Sequence, residues 1–319
     1  MFFELNILLM DLIMFFILLI LNLICMAFLT LLERKLLSLI QFRVGPNKVG
    51  FIGILQPFSD AIKLLNKEIF LIMKSKFLVY NLMPIMMFLL SSIIWLIYPL
   101  QSYTYKMNCG ILFMLSVIGL NVYPVMLGGW ISNSNYSMLG SIRSIAQSIS
   151  YEVSLFMILF SLILMVEDLS LYNFFKYQYY MKFFIFLSPL YLMFMISMLV
   201  ELNRAPFDLV EGESELVSGF NVEYFSSMFT LIFMAEYLSI IFVSFLTVVL
   251  FFGIDLMSYS FGIFLMFHII LVIKIRSISP RIRYDQLMDM CWKKFLLISL
   301  SYILINLMFK EVIILNFIM

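Results

Sequence analysis

Two carboxylates in this chain stand where a carboxylate is expensive. Glu152 is followed by fourteen uncharged residues, and Glu236 is the sole charge between Phe225 and Phe252. Inserting one charged residue at the centre of a membrane helix costs about 2.5–3.5 kcal/mol on translocon scales. Neither glutamate has a basic residue within four positions to pair with on its own helix. Such groups usually face a bundle interior or a wet cavity and move protons or ions; helix–helix glue is the plainer alternative.

A second set of acids lies close by in sequence. Glu201, Asp208, Glu211, Glu213, Glu215 and Glu223 share one stretch with a single base, Arg204. Asp208, Glu211 and Glu215 recur at spacings of three and four, which would put them on one helix face. Crowded carboxylates do not all ionise easily, so some of them should hold protons near neutral pH. A solvated acidic loop is the plain reading. The carboxylates at Glu152 and Glu236 extend the series into the membrane and favour proton handling.

Other chemistries find little support. Cys25, Cys109 and Cys291 are scattered, with no Cys-x-x-Cys spacing, so an iron–sulfur or zinc site within this chain is not expected. No glycine-rich nucleotide fingerprint or phosphate loop is present. His268, the only histidine, sits inside an apolar run and reads as a satisfied core residue. The expected inventory is therefore no metal, no flavin and no nucleotide site, and no nucleic-acid partner.

The elements that hold these acids must be membrane helices. Hydrophobic residues make up 64% of the chain and charged residues 12%, about half the charged share of a soluble domain. In lipid the backbone must satisfy itself, by helices or a closed barrel. The apolar runs are long and continuous, not alternating, which selects helices. The expected architecture is an all-α integral membrane protein, one polytopic domain over residues 1–319 with about eight transmembrane helices. The spans read as 12–32, 77–99, 111–130, 144–166, 183–200, 225–252, 256–273 and 292–309. The fifth is short, and the sixth is long enough to tilt or break. The first run ends in Glu33-Arg34-Lys35 and has acids, not bases, ahead of it, unlike a cleavable targeting peptide.

The bases give the chain a direction. Sixteen Lys and Arg fall in the odd-numbered connections and four, Lys106, Lys176, Lys182 and Lys310, on the other side. The positive-inside rule then places both termini on the outer face. The first inner connection carries a patterned segment. Pro57 suits the first turn of a helix, and Leu55, Phe58, Ile62 and Leu65 form an apolar line beside Asp60, Lys63 and Lys67. This predicts a short amphipathic helix lying on the membrane face or roofing a cavity. The stretch from Arg43 to Gly50 is turn-rich. On the residues alone, three readings stand: a membrane subunit of a larger redox machine, a stand-alone proton or cation transporter, and an interaction scaffold. No repeat between the halves points to the transporter.

Several motifs then carry a resemblance. Glu33-Arg-Lys-Leu-Leu-Ser-Leu-Ile-Gln-Phe-Arg-Val-Gly-Pro-Asn-Lys-Val-Gly50, Gln56-Pro-Phe-Ser-Asp60 and Lys63-Leu-Leu-Asn-Lys-Glu68 open the set. Trp130-Ile-Ser-Asn-Ser-Asn-Tyr136, Gln147-Ser-Ile-Ser-Tyr-Glu-Val-Ser154, the acidic stretch Glu201 to Tyr224, Phe233-Met-Ala-Glu-Tyr237 and Pro280 to Met288 complete it. Together they resemble the NADH–ubiquinone oxidoreductase chain 1 family, the membrane core subunit of respiratory complex I. Ser38-Leu39, Ser279 and Ile282 depart from the pattern. Richness in Phe, Met, Ile, Leu and Asn is similar to that of mitochondrially encoded chains.

The resemblance implies a multi-pass protein of the mitochondrial inner membrane whose substrate is ubiquinone. It would meet redox-arm and membrane-arm subunits of the complex, which carry the flavin and iron–sulfur groups. It implies a proton path through Asp60, Glu152, Glu201, Glu211, Glu213, Glu215, Glu223 and Glu236. It assigns Arg34, Arg43, Arg204 and Arg283, with Phe233 and Met234, to the membrane-side quinone chamber. The related membrane subunit of a membrane-bound hydrogenase is the alternative within the same resemblance.

Overall fold

A computed structural model describes residues 2–68, 76–99, 107–179, 181–209 and 219–318. Among them the secondary structure is helical. In chain order the helices are α1 (Phe2–Ile40), α2 (Gln56–Leu65), α3 (Phe77–Ile93), α4 (Gly110–Ile131), α5 (Asn135–Val166) and α6 (Leu171–Tyr177). They continue with α7 (Phe183–Phe186), α8 (Ser188–Glu201), α9 (Ser226–Thr247), α10 (Tyr259–Ile278), α11 (Tyr284–Asp289) and α12 (Leu296–Ile318). Among the described residues seven helices are long and apolar enough to cross a membrane, and α8 is a shorter apolar helix.

The places where the helices depart from the apolar runs have local causes. The first helix does not stop at Glu33-Arg34-Lys35; it runs on to Ile40, because Glu33 is buried and paired with residues far along the chain. The fifth run breaks at Leu187 (φ −113°, ψ 39°) and restarts as α8 with Pro189 in its first turn. Its 14 residues extend only about 21 Å, less than the roughly 30 Å of a hydrocarbon core. The sixth run holds as α9 and then loosens into a π-helical turn over Val248–Phe252, closed by Gly253 at φ 49°.

Helix α9 is the most enclosed span, packed against α1, α2, α3 and α10, whereas α1 presents Leu12, Phe16 and Ile20 outward. Helix α5 packs on α4, α8 and α12. It does so with buried small polar residues on two faces, Ser137, Ser141 and Ser144 on one and Ser150, Ser154 and Ser161 on the other. Each of these hydroxyls donates to the carbonyl three residues back, so close approach leaves no donor stranded.

Contacts between the connections form two sets. One set holds three ion-pair groups, Arg34 with Asp60, Arg204 and Arg276 with Glu33, and Arg281 with Asp208, and the Ile282 amide donates to the Pro206 carbonyl at 3.1 Å. In the other, Lys310 pairs with Glu167, Lys182 Nζ donates to Gly253 O at 3.1 Å, and Gln178 Nε2 donates to Leu250 O at 2.8 Å.

Candidate functional site

The acid-rich end of the bundle contains a cavity of about 300 Å³ between α1, α2 and α9. Thr30, Arg34, Asp60, Phe233, Met234 and Tyr237 line it among others. Four residues singled out from the sequence, Arg34, Asp60, Phe233 and Met234, are thus brought to one place. Its walls are mainly apolar. Its charged rim is the Arg34–Asp60 pair, steadied by Gln56 Nε2 donating to Asp60 Oδ1 at 3.0 Å. Helix α2 roofs the cavity, as its amphipathic pattern allows, with Pro57, Asp60, Ala61 and Leu64. Its apolar line, Leu55, Phe58, Ile62 and Leu65, faces outward from the chain.

Behind the cavity wall lies a buried ion cluster. Arg204 Nη1 donates to Glu33 Oε1 at 2.8 Å, Arg276 Nη1 donates to the same oxygen, and Tyr237 O–H donates to Glu33 Oε2 at 2.7 Å. The Arg204 guanidinium lies over the Tyr237 ring, 4.7 Å from its centroid. Burial works against the Arg204 charge. Glu33 outweighs it, with Tyr237 and Glu236, and holds the guanidinium above its ordinary pKa. Buried charges persist where they are paired and hydrogen-bonded, and this cluster meets both conditions while joining α1, α9, α10 and the 202–209 turn.

Glu152 and Glu201 form the membrane part of the series. Glu201, at the end of α8, feels the charge of Glu152 on α5. It lines a small cavity of about 60 Å³ together with Ser91, Asn121 and Ser239. The end of α8 is held to α5 by Gln147, whose Nε2 donates to Val200 O at 3.0 Å and Phe207 O at 3.1 Å. Glu236 lies one residue before Tyr237 and acts on Arg204 through its charge.

The remaining expected residues divide. Glu223 sits in the turn ahead of α9, next to Tyr224, whose ring stacks on Tyr80 with centroids 4.3 Å apart and planes at 4°. Glu211, Glu213 and Glu215 lie outside the described residues. Asp208 is in a turn, not on a helix, and pairs with Arg281 at 3.5 Å. Arg43 is exposed and donates to Gln41 at 2.9 Å, and Arg283 is exposed at the start of α11; neither reaches the cavity. His268 is fully buried, with Nδ1 donating to Phe264 O at 2.8 Å, so Nε2 accepts from Tyr191 O–H at 3.1 Å. It is the satisfied core residue its context suggested. Among the described residues no group of His, Cys, Asp and Glu could hold a metal ion.

Sequence reasoning passed over Glu33, Tyr237 and Arg276 as site residues. Arg276 counted only as one of many inner bases. Glu33 had a usable signal: it is the first charge after a 21-residue apolar run, a position where a helix that continues must bury it or expose it.

An all-α multi-pass membrane protein with a buried charge cluster beside a mainly apolar cavity is the class that fold and site define. Comparison narrows it. Residues 13–307 match the NADH dehydrogenase family model. A chain from Apis mellifera ligustica named NADH-ubiquinone oxidoreductase chain 1 is 52% identical over 92% of this chain and 96% of its own length. Proteins of the same name from Aedes aegypti (52% identity over 87% and 88%) and Locusta migratoria (49% over 91% and 92%) are similar to it. The chain belongs to the NADH dehydrogenase family, among the relatives named NADH-ubiquinone oxidoreductase chain 1.

Proposed function

We propose that this chain is the membrane subunit of a proton-translocating NADH:ubiquinone oxidoreductase. In this reading it forms the membrane-side part of the quinone chamber. It also carries an acidic path that couples quinone reduction to proton movement. The observation that carries the reading is the cavity of about 300 Å³ bounded by Arg34, Asp60, Phe233, Met234 and Tyr237. Its apolar walls suit an isoprenoid tail, and its volume is at the lower end of ligand pockets. Its charged rim suits a polar headgroup passing toward the redox subunits.

The chemistry assigns work to this chain without giving it a redox group. Reducing ubiquinone to ubiquinol consumes two electrons and two protons. The electrons come from partner subunits. In this chain Glu33 and Tyr237 hold Arg204 in place behind the cavity wall, so a change of charge at the quinone acts on a fixed buried cation beyond the Arg34–Asp60 rim. Glu236 lies within the field of that cation, and Glu201 within the field of Glu152. Carboxylates coupled through their charges change one another's proton affinity when the charge at one end changes. In this reading Asp60, Glu211, Glu213, Glu215 and Glu223 belong to the same acidic path. The same reading places the chain in the mitochondrial inner membrane, with both termini in the intermembrane space, and gives it redox-arm and antiporter-like membrane subunits as partners.

Purification in mild detergent tests the assignment. The account expects the chain to come out with iron–sulfur and flavin subunits and to reduce ubiquinone with NADH. Recovery as a lone protein that transports cations with no redox partner would overturn it in favour of the transporter.

A further inference from the structure

The neighbour of Glu152 across the α4–α5 contact is a glycine. A methyl group built on Gly119 would meet Glu152 Oε1 at 2.7 Å, its carboxyl carbon at 3.5 Å and Oε2 at 3.6 Å. The three nearest atoms all belong to that one carboxylate. Gly119 sits in the interior of α4, with φ outside the left-handed region. Its backbone would accept alanine, and alanine is the better helix former.

We propose that Gly119 is a positioning residue: the space left by its missing side chain is the seat of the Glu152 carboxylate. The atom in the way of a methyl group is the far end of a flexible side chain, so Gly119→Ala leaves α4 and its packing in place and moves the carboxylate instead. Displacement of a proton-carrying group from its partner is severe for transfer, since donors and acceptors act within hydrogen-bond reach or through one water. The inference rests on the proton role given to Glu152 above.

The test uses four variants of the assembled complex: Gly119→Ala, Glu152→Asp, the two combined, and Glu152→Gln. Each is measured for NADH oxidation by an artificial acceptor, for ubiquinone reduction and for protons moved per electron. Gly119→Ala should keep the artificial-acceptor rate and lose tenfold or more, up to about 10²-fold, in ubiquinone-linked proton movement, the scale of a reacting group misplaced by about 1 Å. Aspartate is one methylene shorter, so its carboxylate withdraws from the added methyl. The combined variant should therefore recover most of the loss, above either single change. A role for Gly119 in backbone packing alone would gain nothing from Glu152→Asp. Wild-type behaviour of Gly119→Ala while Glu152→Gln is impaired would overturn the seat and leave the proton reading standing. Wild-type behaviour of Glu152→Gln would overturn the reading beneath it. Should Gly119→Ala fail to assemble, restored assembly in the combined variant supports the seat, and continued failure overturns it.

Discussion

Arg204 and Glu33 are 171 positions apart in sequence and form a 2.8 Å hydrogen-bonded ion pair in which both side chains are almost wholly enclosed. The pair fixes the 202–209 turn, which follows α8, against α1. The second guanidinium, Arg276, and the Tyr237 hydroxyl then complete the carboxylate's partners.

Removing the negative member should be costly. In Glu33→Gln the buried Arg204 loses its counter-charge, a change that typically destabilises by about 3–5 kcal/mol. We expect poor assembly, or a complex that loses ubiquinone reductase activity several degrees lower on heating. Thermal inactivation of the variant beside the parent checks this, and equal midpoints would mean that the cluster contributes little.

The rim pair behaves differently. Arg34 and Asp60 are 52% and 33% exposed, and exposed pairs contribute at most about 1 kcal/mol. Asp60→Asn should assemble normally and keep its heat resistance. Its effect should appear as a KM for ubiquinone raised roughly three- to tenfold, about the same 1 kcal/mol expressed as binding. Steady-state kinetics with a short-tailed ubiquinone separates the two effects.

Glu152→Gln keeps size and hydrogen bonding while removing the titratable proton. The expected outcome is an assembled complex with reduced ubiquinone reduction and fewer protons moved per electron. Unchanged turnover and stoichiometry would return Glu152 to helix–helix glue.

For the acidic stretch, Glu211→Gln, Glu213→Gln and Glu215→Gln, made singly, should each slow ubiquinone reduction. NADH oxidation by an artificial acceptor should be untouched. A solvated loop would respond otherwise, because neutralising one of several like charges relieves repulsion and changes little. Wild-type ubiquinone rates in all three would make the acids a docking surface instead.

Much of this was legible before any fold was seen, for identifiable reasons. Long apolar runs mark membrane helices because lipid permits little else, and Glu152 and Glu236 are conspicuous because those runs are otherwise uncharged. The short helix α2, with its apolar line Leu55, Phe58, Ile62 and Leu65, follows from Pro57 and helical spacing. What could not be read was long-range or negative. The continuation of α1 past three charges depends on Arg204 and Arg276, which no local pattern links to Glu33. The break at Leu187 is carried by Pro189 inside an apolar run that reads as one span. Asp208 lies in a turn closed by the Phe207 amide on Arg204 O and pairs with Arg281, against the helical face its spacing suggested. A glycine within a membrane helix gives no sign of the side chain that fills its space.

The most direct measurement is labelling of the assembled complex with a photoreactive ubiquinone, followed by mapping of the modified peptides. The account predicts label on the segments that carry Met26 to Arg34, Pro57 to Leu64 and Phe229 to Tyr237, lost when excess ubiquinone competes. Label that spares all three segments while ubiquinone reduction is blocked would contradict the placement of the quinone chamber in this chain.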